Sequence, residues 1–195
     1  SGGAIAFGDF KRPIQKANLL KIALQYCQSF EGMVISHPIN NELAGKGVMH
    51  EGITSTRIGL KGIPSMAESV QIARDLEILK YSGGKLHIPN ISTEAGLDLI
   101  RKAKKQGLKV SCSVGLPHLI FDDTKLESFD PNFKVFPPIR SKADQQALRA
   151  GLLEGTIDMI SSMHEPMNIE YKQLEYEHAE PGSIGLESCF GILNK

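Results

Sequence analysis

The chain has 195 residues, in which 22 lysines and arginines balance 22 aspartates and glutamates. This length suffices for one domain with a buried core, and the balanced charge argues against nucleic acid or an acidic membrane surface as a partner. No apolar run approaches the roughly 18 residues of a membrane span, and we expect no signal peptide. The cysteines Cys27, Cys112 and Cys189 form no CxxC pair, so we expect no disulfide framework and a cytoplasmic location.

Apolar, β-like runs alternate with amphipathic helical segments along the chain. The sequence predicts five strands, at residues 3–9, 33–37, 85–90, 109–115 and 156–162. It predicts helices near 14–29, from about Ser65, between Thr93 and Gly107, and near 142–154. A long excursion rich in glycine separates the second strand from the second helix, and its glycines are interpreted as turn residues.

The composition of two predicted helices allows more detailed expectations. The helix that starts near Ser65 is expected to turn Met66, Val70 and Ala73 inward. The next helix has Ser92 or Thr93 as its N-cap, because a side-chain hydroxyl there can accept a hydrogen bond from the first turn.

Strict alternation of strand and helix indicates a mostly parallel sheet with right-handed crossovers. Two architectures fit this order. An open, doubly wound sheet needs no more than the five predicted units, whereas a closed (β/α)8 barrel usually takes about 250 residues. Periodicity alone does not choose between them.

Four histidines lie within, or a few residues after, the C-terminal half of a predicted strand: His37, His87, His118 and His164. Asp9 ends the first strand. In a barrel these strand ends converge on one mouth, where imidazoles and a carboxylate could surround a metal. Each histidine could equally be a hydrogen-bonded structural residue, and no HxH, HxxH or HExxH spacing supports the metal hypothesis. The sequence also contains no GxGxxG, Walker or GxSxG motif.

Two further features have both a functional and a structural interpretation. Asp122 and Asp123 are adjacent, so their side chains diverge in most backbone conformations, and we interpret them as a solvated turn rather than an acid–base pair. Arg140 follows a rigid Pro-Pro pair, where it would either bind an anion or make a structural ion pair.

Several phrases follow one another in the order seen in dihydroorotases. They are GAIAFGD, GKGVMHEG, GLKGIPSMAESVQIARDLEIL, LHIPNIST, SCSVGLPHLIF, NFKVFPPIRSKADQQALRAGLLEGTIDMISSMHEP, EYK and GSIGLES. The chain therefore resembles the dihydroorotases of the amidohydrolase superfamily, in the long form related to allantoinases and dihydropyrimidinases. The resemblance covers nearly the whole chain, and residues 134–166 are quite specific.

The resemblance implies an α/β fold that forms part of a (β/α)8 TIM-like barrel, with about five βα units, and so favours the barrel over the open sheet. It implies one domain over 1–195, the central and C-terminal part of that barrel. The family's first strands, with their HxH metal pair, would precede residue 1, and a small flanking β-domain would follow Lys195.

The resemblance also assigns metal positions, which hold zinc in the family. Asp9 retains the metal-bridging carboxylate, and His87 remains from an HxxH pair whose metal-binding second histidine is replaced by Asn90. Pro117 stands in place of another metal-binding histidine, next to the retained His118. By this comparison two ligand positions are degenerate.

Two further positions depart from the family pattern. Met163 stands where the catalytic aspartate would carry a proton between the bridging hydroxide and the leaving nitrogen. Met167 stands where a histidine would hold the substrate carboxylate. A thioether has no useful basicity, and general acid–base catalysis is commonly worth about 10²–10⁴ in rate, so the pattern predicts loss of the chemistry.

Three functions remain open at this point. The first is a non-catalytic dihydroorotase-like protein of pyrimidine biosynthesis, with zinc absent or weakly bound, which serves as a scaffold or partner subunit for aspartate transcarbamoylase or for a second copy of itself. The second is an active metal-dependent cyclic amidohydrolase that opens dihydroorotate to N-carbamoyl-L-aspartate, with ligands drawn from Asp9 and the four strand-end histidines. The third is a binding protein whose more apolar mouth suits a neutral small molecule.

Overall fold

The computed structural model describes residues 3–10 and 12–194. That part of the chain contains seven strands: β1 (Ala6–Gly8), β2 (Met33–Ile35), β3 (Met49–His50), β4 (Gly62–Ile63), β5 (Leu86–Ile91), β6 (Val110–Gly115) and β7 (Met159–Ser161). All but β3 and β4 form one parallel sheet in the order β1–β2–β5–β6–β7. These five strands confirm the five that the sequence predicts.

The strand order decides between the two architectures. Each strand of the large sheet lies beside the strand that precedes it in that sheet along the chain, so the order never reverses. A doubly wound sheet has a reversal at its switch point, with helices on both faces. Right-handed crossovers without a reversal place every helix on the same face, which is the arrangement of a barrel wall.

The helices of the described residues vary widely in length. They are α1 (Ala17–Gln28), α2 (Asn41–Ala44), α3 (Ile53–Ile58), α4 (Met66–Ser82), α5 (Glu94–Lys105), α6 (Leu116–Ile120), α7 (Lys142–Leu153), α8 (Ile169–Lys172) and α9 (Leu186–Leu193). Two short 3₁₀ turns cover Asp123–Ser128 and Pro131–Phe133. None of these helices combines the length and apolarity that a membrane-spanning helix requires.

One hydrophobic core joins the long helices to the large sheet. Alternate strand residues face the helices, among them Val34, Ile88 and Cys112, and they pack with Leu20 of α1 and Ile100 of α5. Full burial of one such aliphatic side chain contributes about 1.5–3 kcal/mol. The opposite face of the sheet carries the intervening residues, and at its C-terminal edge the strand ends lie together.

Local hydrogen bonds explain where α5 begins. The Thr93 hydroxyl accepts a hydrogen bond from the Gly96 backbone N–H at 3.0 Å, which makes Thr93 the N-cap. Gly107 follows the helix with a φ of +79°, in the left-handed region that glycine tolerates. Both ends agree with the sequence prediction.

The predicted inward face of α4 is wrong for Met66 and Val70, which are 52% and 42% exposed, whereas Ala73 is half-buried. The buried face of the helix combines apolar residues with polar ones: Ala67, Glu68, Gln71, Ile72, Asp75, Leu76 and Leu79. Hydrophobicity misleads here because the polar side chains find partners inside the protein: Asp75, for example, accepts a 2.8 Å hydrogen bond from Ser36 on the strand side. A buried polar group that is hydrogen-bonded avoids most of its desolvation cost.

The excursion between β2 and α4 is more ordered than expected. It contains α2, the two-stranded parallel sheet of β3 and β4, and α3. Gly45, with a φ of +56°, ends α2, and this agrees with the interpretation of the glycines as turn residues. The small sheet brings Met49 and His50 into buried positions.

Candidate functional site

The C-terminal edge of the large sheet gathers several of the sequence-predicted residues. Asp9 directly follows β1, and His37 lies two residues beyond β2. Asn90 lies near the end of β5, and Met163 lies two residues beyond β7. Because the strands are parallel, these positions share one edge.

Asp9 is held by the backbone of its neighbours. Both of its carboxylate oxygens accept a hydrogen bond from the His37 backbone N–H at 3.1 Å, and Oδ2 accepts a further one from the Ile14 N–H at 3.2 Å. Burial raises the pKa of Asp9, and these hydrogen bonds oppose that rise. The structure therefore gives the carboxylate a structural role in joining β1 to β2. The His37 ring is buried and stacks on Phe136.

Met163 fills the position beside Gly115 at the end of β6. A Cβ on Gly115 would overlap the Met163 sulfur and would lie 2.8 Å from Nδ1 of His118. Because Gly115 has no side chain, it leaves room for both the Met163 thioether and this imidazole nitrogen. Met163 has a φ of +49°, a left-handed conformation that is costly for a non-glycine residue. Its carbonyl accepts a 2.8 Å hydrogen bond from the Ser183 hydroxyl.

The hydrogen bonds of His118 determine its tautomer. Its Nε2 lies 3.0 Å from the Pro137 carbonyl, which can only accept, so Nε2 carries the hydrogen. Burial lowers the pKa of His118 to about 4, which leaves the ring neutral and Nδ1 without a proton. Among the described residues, Nδ1 is buried without a hydrogen-bond partner.

Asn90 shows the same combination of strain and an unpartnered atom. Its φ is +50°, and the register of β5 against β6 shifts between Ile88 and Ile91 around it. The Asn90 N–H donates to the Ser113 hydroxyl at 3.1 Å, but its buried Oδ1 has no hydrogen-bond partner in the described part of the chain. We refer to Asn90, His118 and Met163 as the mouth positions.

Of the other two predicted strand-end histidines, His164 lies at this edge, three residues beyond β7, and His87 does not. His87 is the second residue of β5, in its N-terminal half, because the strand continues to Ile91. Its Nδ1 lies 2.9 Å from the Ser111 hydroxyl on β6, and burial lowers its pKa. His164 is exposed, and its Nδ1 accepts a 3.4 Å hydrogen bond from the Leu186 N–H. The placement of His87 in the C-terminal half of its strand is therefore wrong.

A buried ionic network lies beside the mouth positions, and it was not predicted. Glu68, fully buried, accepts hydrogen bonds from the backbone N–H groups and hydroxyls of Ser92 and Thr93. Arg140 is 2% exposed and donates from Nε to the Ser92 hydroxyl at 3.1 Å and from Nη1 to the Ile63 carbonyl at 2.7 Å. We call these four side chains, Glu68, Ser92, Thr93 and Arg140, the Glu68 network.

The network bears on both interpretations left open for charged residues nearby. The charge of Arg140 is buried near Glu68 rather than presented to solvent, which favours the structural interpretation, while its Nη2 has no hydrogen-bond partner among the described residues. The solvated turn proposed for the aspartate pair is half wrong. Asp122 caps a 3₁₀ turn through Thr124, but Asp123 is buried and donates its N–H to the Arg140 carbonyl at 2.9 Å.

A cavity of about 560 Å³ opens next to this edge. Its walls come from α6, the 3₁₀ segment and loop between α6 and α7, the loop that follows β7, α8, and α9 with the segment that leads into it. Pro117 and Met167, two of the departures from the family pattern, line it together with mainly aliphatic and aromatic side chains. No sequence signal at a single position could have revealed this cavity, because several separate segments form it.

The donor atoms at the edge do not fit the zinc that the family resemblance implies. Zinc takes about four nitrogen, sulfur-thiolate or carboxylate ligands. Here Asn90 offers an amide, Met163 a thioether and Pro117 no ligand atom at all. Within residues 3–10 and 12–194, no three His, Cys, Asp or Glu side chains converge to hold a metal ion. The side chains that the sequence offered as possible metal ligands lie in separate environments. They are Asp9, His37, His87, His118 and His164.

Comparison with known sequences identifies the family. A family described as dihydro-orotase-like matches residues 1–96. The chain is 42% identical over 191 residues to the dihydroorotase of Pelotomaculum thermopropionicum. The aligned region covers 98% of this chain and 45% of that protein. It is 40% identical over 194 residues to the dihydroorotase of Anaeromyxobacter sp. strain K, again over 98% of this chain and 45% of that protein.

The chain is similar to dihydroorotases over nearly all of its length. It spans a little under half the length of the curated relatives it matches. The resemblance inferred from the sequence motifs is confirmed.

Solved structures place the dihydroorotase-like chain in the expected fold. It superposes on D-hydantoinase (dihydropyrimidinase) from Thermus sp. with a TM-score of 0.77 at 20% identity, over 97% of this chain and 45% of that one. It superposes on L-hydantoinase (dihydropyrimidinase) from Arthrobacter aurescens with a TM-score of 0.78 at 23% identity, over 95% of this chain and 43% of that one. At these identities the likeness establishes the fold, which is part of a (β/α)8 barrel.

Proposed function

We propose that this chain belongs to a non-catalytic dihydroorotase-like protein, whose barrel serves as a scaffold or partner subunit in pyrimidine biosynthesis. The main support is the position of Met163. Its thioether packs over Gly115 beside the unprotonated nitrogen of His118, at the place where the family resemblance puts the proton-carrying aspartate. A thioether neither accepts nor returns a proton at neutral pH.

The surrounding residues support the same proposal. An amide at Asn90 and a proline at position 117 replace two imidazoles of the family pattern. The remaining carboxylate, Asp9, accepts three backbone hydrogen-bond contacts that join two strands. Meanwhile the packing side chains of the sheet and the Glu68 network are intact, as a scaffold requires.

The proposed partner is aspartate transcarbamoylase, with association between copies of this chain as the alternative, and the proposed compartment is the cytoplasm. A pull-down with the purified transcarbamoylase, read out together with sedimentation of the chain alone, separates the two partners. A shift of the transcarbamoylase into the complex supports the first, and a concentration-dependent dimer of the chain alone supports the second.

The opposing function is hydrolysis of dihydroorotate. The decisive experiment measures the zinc content of the protein and its turnover in both directions, from dihydroorotate and from N-carbamoyl-L-aspartate. We expect zinc far below one ion per chain and no turnover above background. Stoichiometric zinc together with turnover that a chelator abolishes would contradict the proposal.

A further inference from the structure

The cavity beside α6 has the size and lining of a ligand site. Its volume of about 560 Å³ falls in the range of roughly 300–1,000 Å³ that small-molecule sites occupy. Apolar side chains come from both sides of it, such as Ile120 and Phe121 from α6 and Ile192 from α9. Burial of apolar ligand surface against such walls is favourable by about 25 cal/mol per Å².

The charged groups of the wall disfavour a charged ligand. Lys172 is the ammonium that lines the cavity, and its Nζ donates to the Pro131 carbonyl at 2.8 Å and to the Lys134 carbonyl at 3.5 Å. Both carbonyls occupy donors of this ammonium, and burial lowers the pKa of Lys172. Glu165 also lines the cavity, and its carboxylate repels an anion.

The remaining polar lining is neutral and partly committed. The Ser162 hydroxyl accepts a 3.3 Å hydrogen bond from the His164 N–H, and the Ser183 hydroxyl donates to the Met163 carbonyl. Asn132 and Ser188 also line the cavity, whereas Pro117 and Met167 add no side-chain N–H or O–H donor. A carboxylate placed against Pro117 and Met167 would therefore lose its water without gaining matching donors, which is costly.

We propose that this cavity binds a neutral, largely apolar ring compound and discriminates against its carboxylate analogue. The ligand would lie between α6 and α9, against Met167, with any single polar group directed to the serine hydroxyls. This proposal is independent of the scaffold role, because a non-catalytic barrel and a catalytic one could each contain such a site.

A matched pair of probes tests the proposal on the 195-residue chain. The two compounds are 2-naphthol, which is neutral at pH 7, and 2-naphthoate, which carries a carboxylate on the same ring system. Titration calorimetry should show saturable binding of 2-naphthol and at least about tenfold weaker binding of 2-naphthoate, as the cost of desolvating an unpaired carboxylate requires. Equal affinities, or no saturable binding of 2-naphthol, would overturn the proposal.

An arginine introduced into the cavity wall tests whether the ligand binds in this cavity. Met167→Arg places a guanidinium in the cavity and should reverse the preference, so that 2-naphthoate binds more tightly than 2-naphthol. Met159→Arg is the matched control, because Met159 is 48% exposed and does not line the cavity, and it should preserve the original preference. If the two variants behave alike, the ligand binds elsewhere and the proposal fails. Turnover of dihydroorotate would contradict the scaffold role without affecting this result.

Discussion

Glu68 and His118 are both buried titratable side chains near the C-terminal edge of one sheet, but their surroundings differ. Glu68 accepts hydrogen bonds from four donors of Ser92 and Thr93, with the charge of Arg140 nearby. Among the described residues, His118 has one ring hydrogen bond, to the Pro137 carbonyl, and its second ring nitrogen lies near Gly115, as does the Met163 thioether.

The difference separates two kinds of polar residue in this fold. The Glu68 network joins α4 to the start of α5 and to the segment before α7, so it holds the helices on the sheet. The mouth positions Asn90, His118 and Met163 join nothing comparable. In the described part of the chain, Oδ1 of Asn90 and Nδ1 of His118 are buried without a hydrogen-bond partner, and in the network the same is true of Nη2 of Arg140. The network thus adds several hydrogen bonds to the stability of the hydrophobic core, whereas Asn90 and Met163 carry backbone strain that the fold tolerates.

The largest effect is expected from breaking the network. Glu68→Ala leaves the buried Arg140 without its nearby carboxylate and leaves four donors unsatisfied, so the free energy of unfolding should fall by about 3–5 kcal/mol. Urea denaturation measures this loss. Glu77→Ala, on an exposed position of the same helix, is the control and should change stability by less than about 0.5 kcal/mol. A loss below about 1 kcal/mol for Glu68→Ala would refute the structural role of the network.

A smaller loss of stability is expected at acidic pH, because of His118. The folded pKa of this ring is about 4 and its ordinary value about 6.5, so between these pH values the unfolded chain binds a proton that the folded chain does not. Stability should therefore fall as the pH drops from about 6.5 to about 4, by up to about 3 kcal/mol from this residue.

The measurement is the unfolding free energy as a function of pH. His50 and His87 also have pKa values lowered by burial, so His118 is isolated by comparing variants. His118→Gln should remove about 1.4 kcal/mol per pH unit from the slope in this window, whereas His178→Gln, at an exposed ring, should not. Identical slopes for the two variants would mean that His118 is not buried as a neutral ring.

The packing of Met163 on Gly115 gives the third prediction. Gly115→Ala forces the thioether and the His118 ring apart, and overpacking of this kind costs about 1–3 kcal/mol. Shortening the methionine in Gly115→Ala/Met163→Ala should recover part of that loss. A double-mutant cycle on unfolding free energies measures the coupling, and additive effects would show that the two side chains do not touch.

The smallest effect is expected at Asn90. Asn90→Gly relieves a left-handed residue and removes an unpartnered buried oxygen, so stability should stay the same or rise by up to about 1 kcal/mol. Asn18→Gly, in the first turn of α1, is the control for a helical backbone position and should lower stability by a few tenths of a kcal/mol, at most about 1 kcal/mol. Thermal unfolding of both variants provides the test, and a marked loss for Asn90→Gly would show that the amide has a partner that stabilises it.

Features that depend on neighbouring residues could be predicted from the sequence. The N-cap of α5 at Thr93 and its stop at Gly107 are examples, since both rest on hydrogen bonds and φ preferences within one turn. The five strands were likewise predicted from local hydrophobic runs. The choice of a barrel wall came from family motifs, and the unreversed strand order now gives it a physical basis.

Features that depend on distant partners could not be predicted. The inward face of α4 includes Glu68 because this side chain meets Ser92, which lies far along the chain and also accepts a hydrogen bond from Arg140. His87 was placed too near the strand end because nothing local indicates that Ser111 is its partner. Asp123 is buried for the same reason, through its contact with Arg140.

The position of Met163 and His118 around Gly115 bears on what an aspartate at position 163 would require. Met163→Asp alone would place a negative charge near the lone pair of Nδ1, and the neutral imidazole cannot donate to it while the hydrogen on Nε2 is bonded to the Pro137 carbonyl. Both groups would have to change together: the ring would have to take up a proton or rotate out of its site. The neutral imidazole therefore favours an uncharged side chain at its neighbouring position 163.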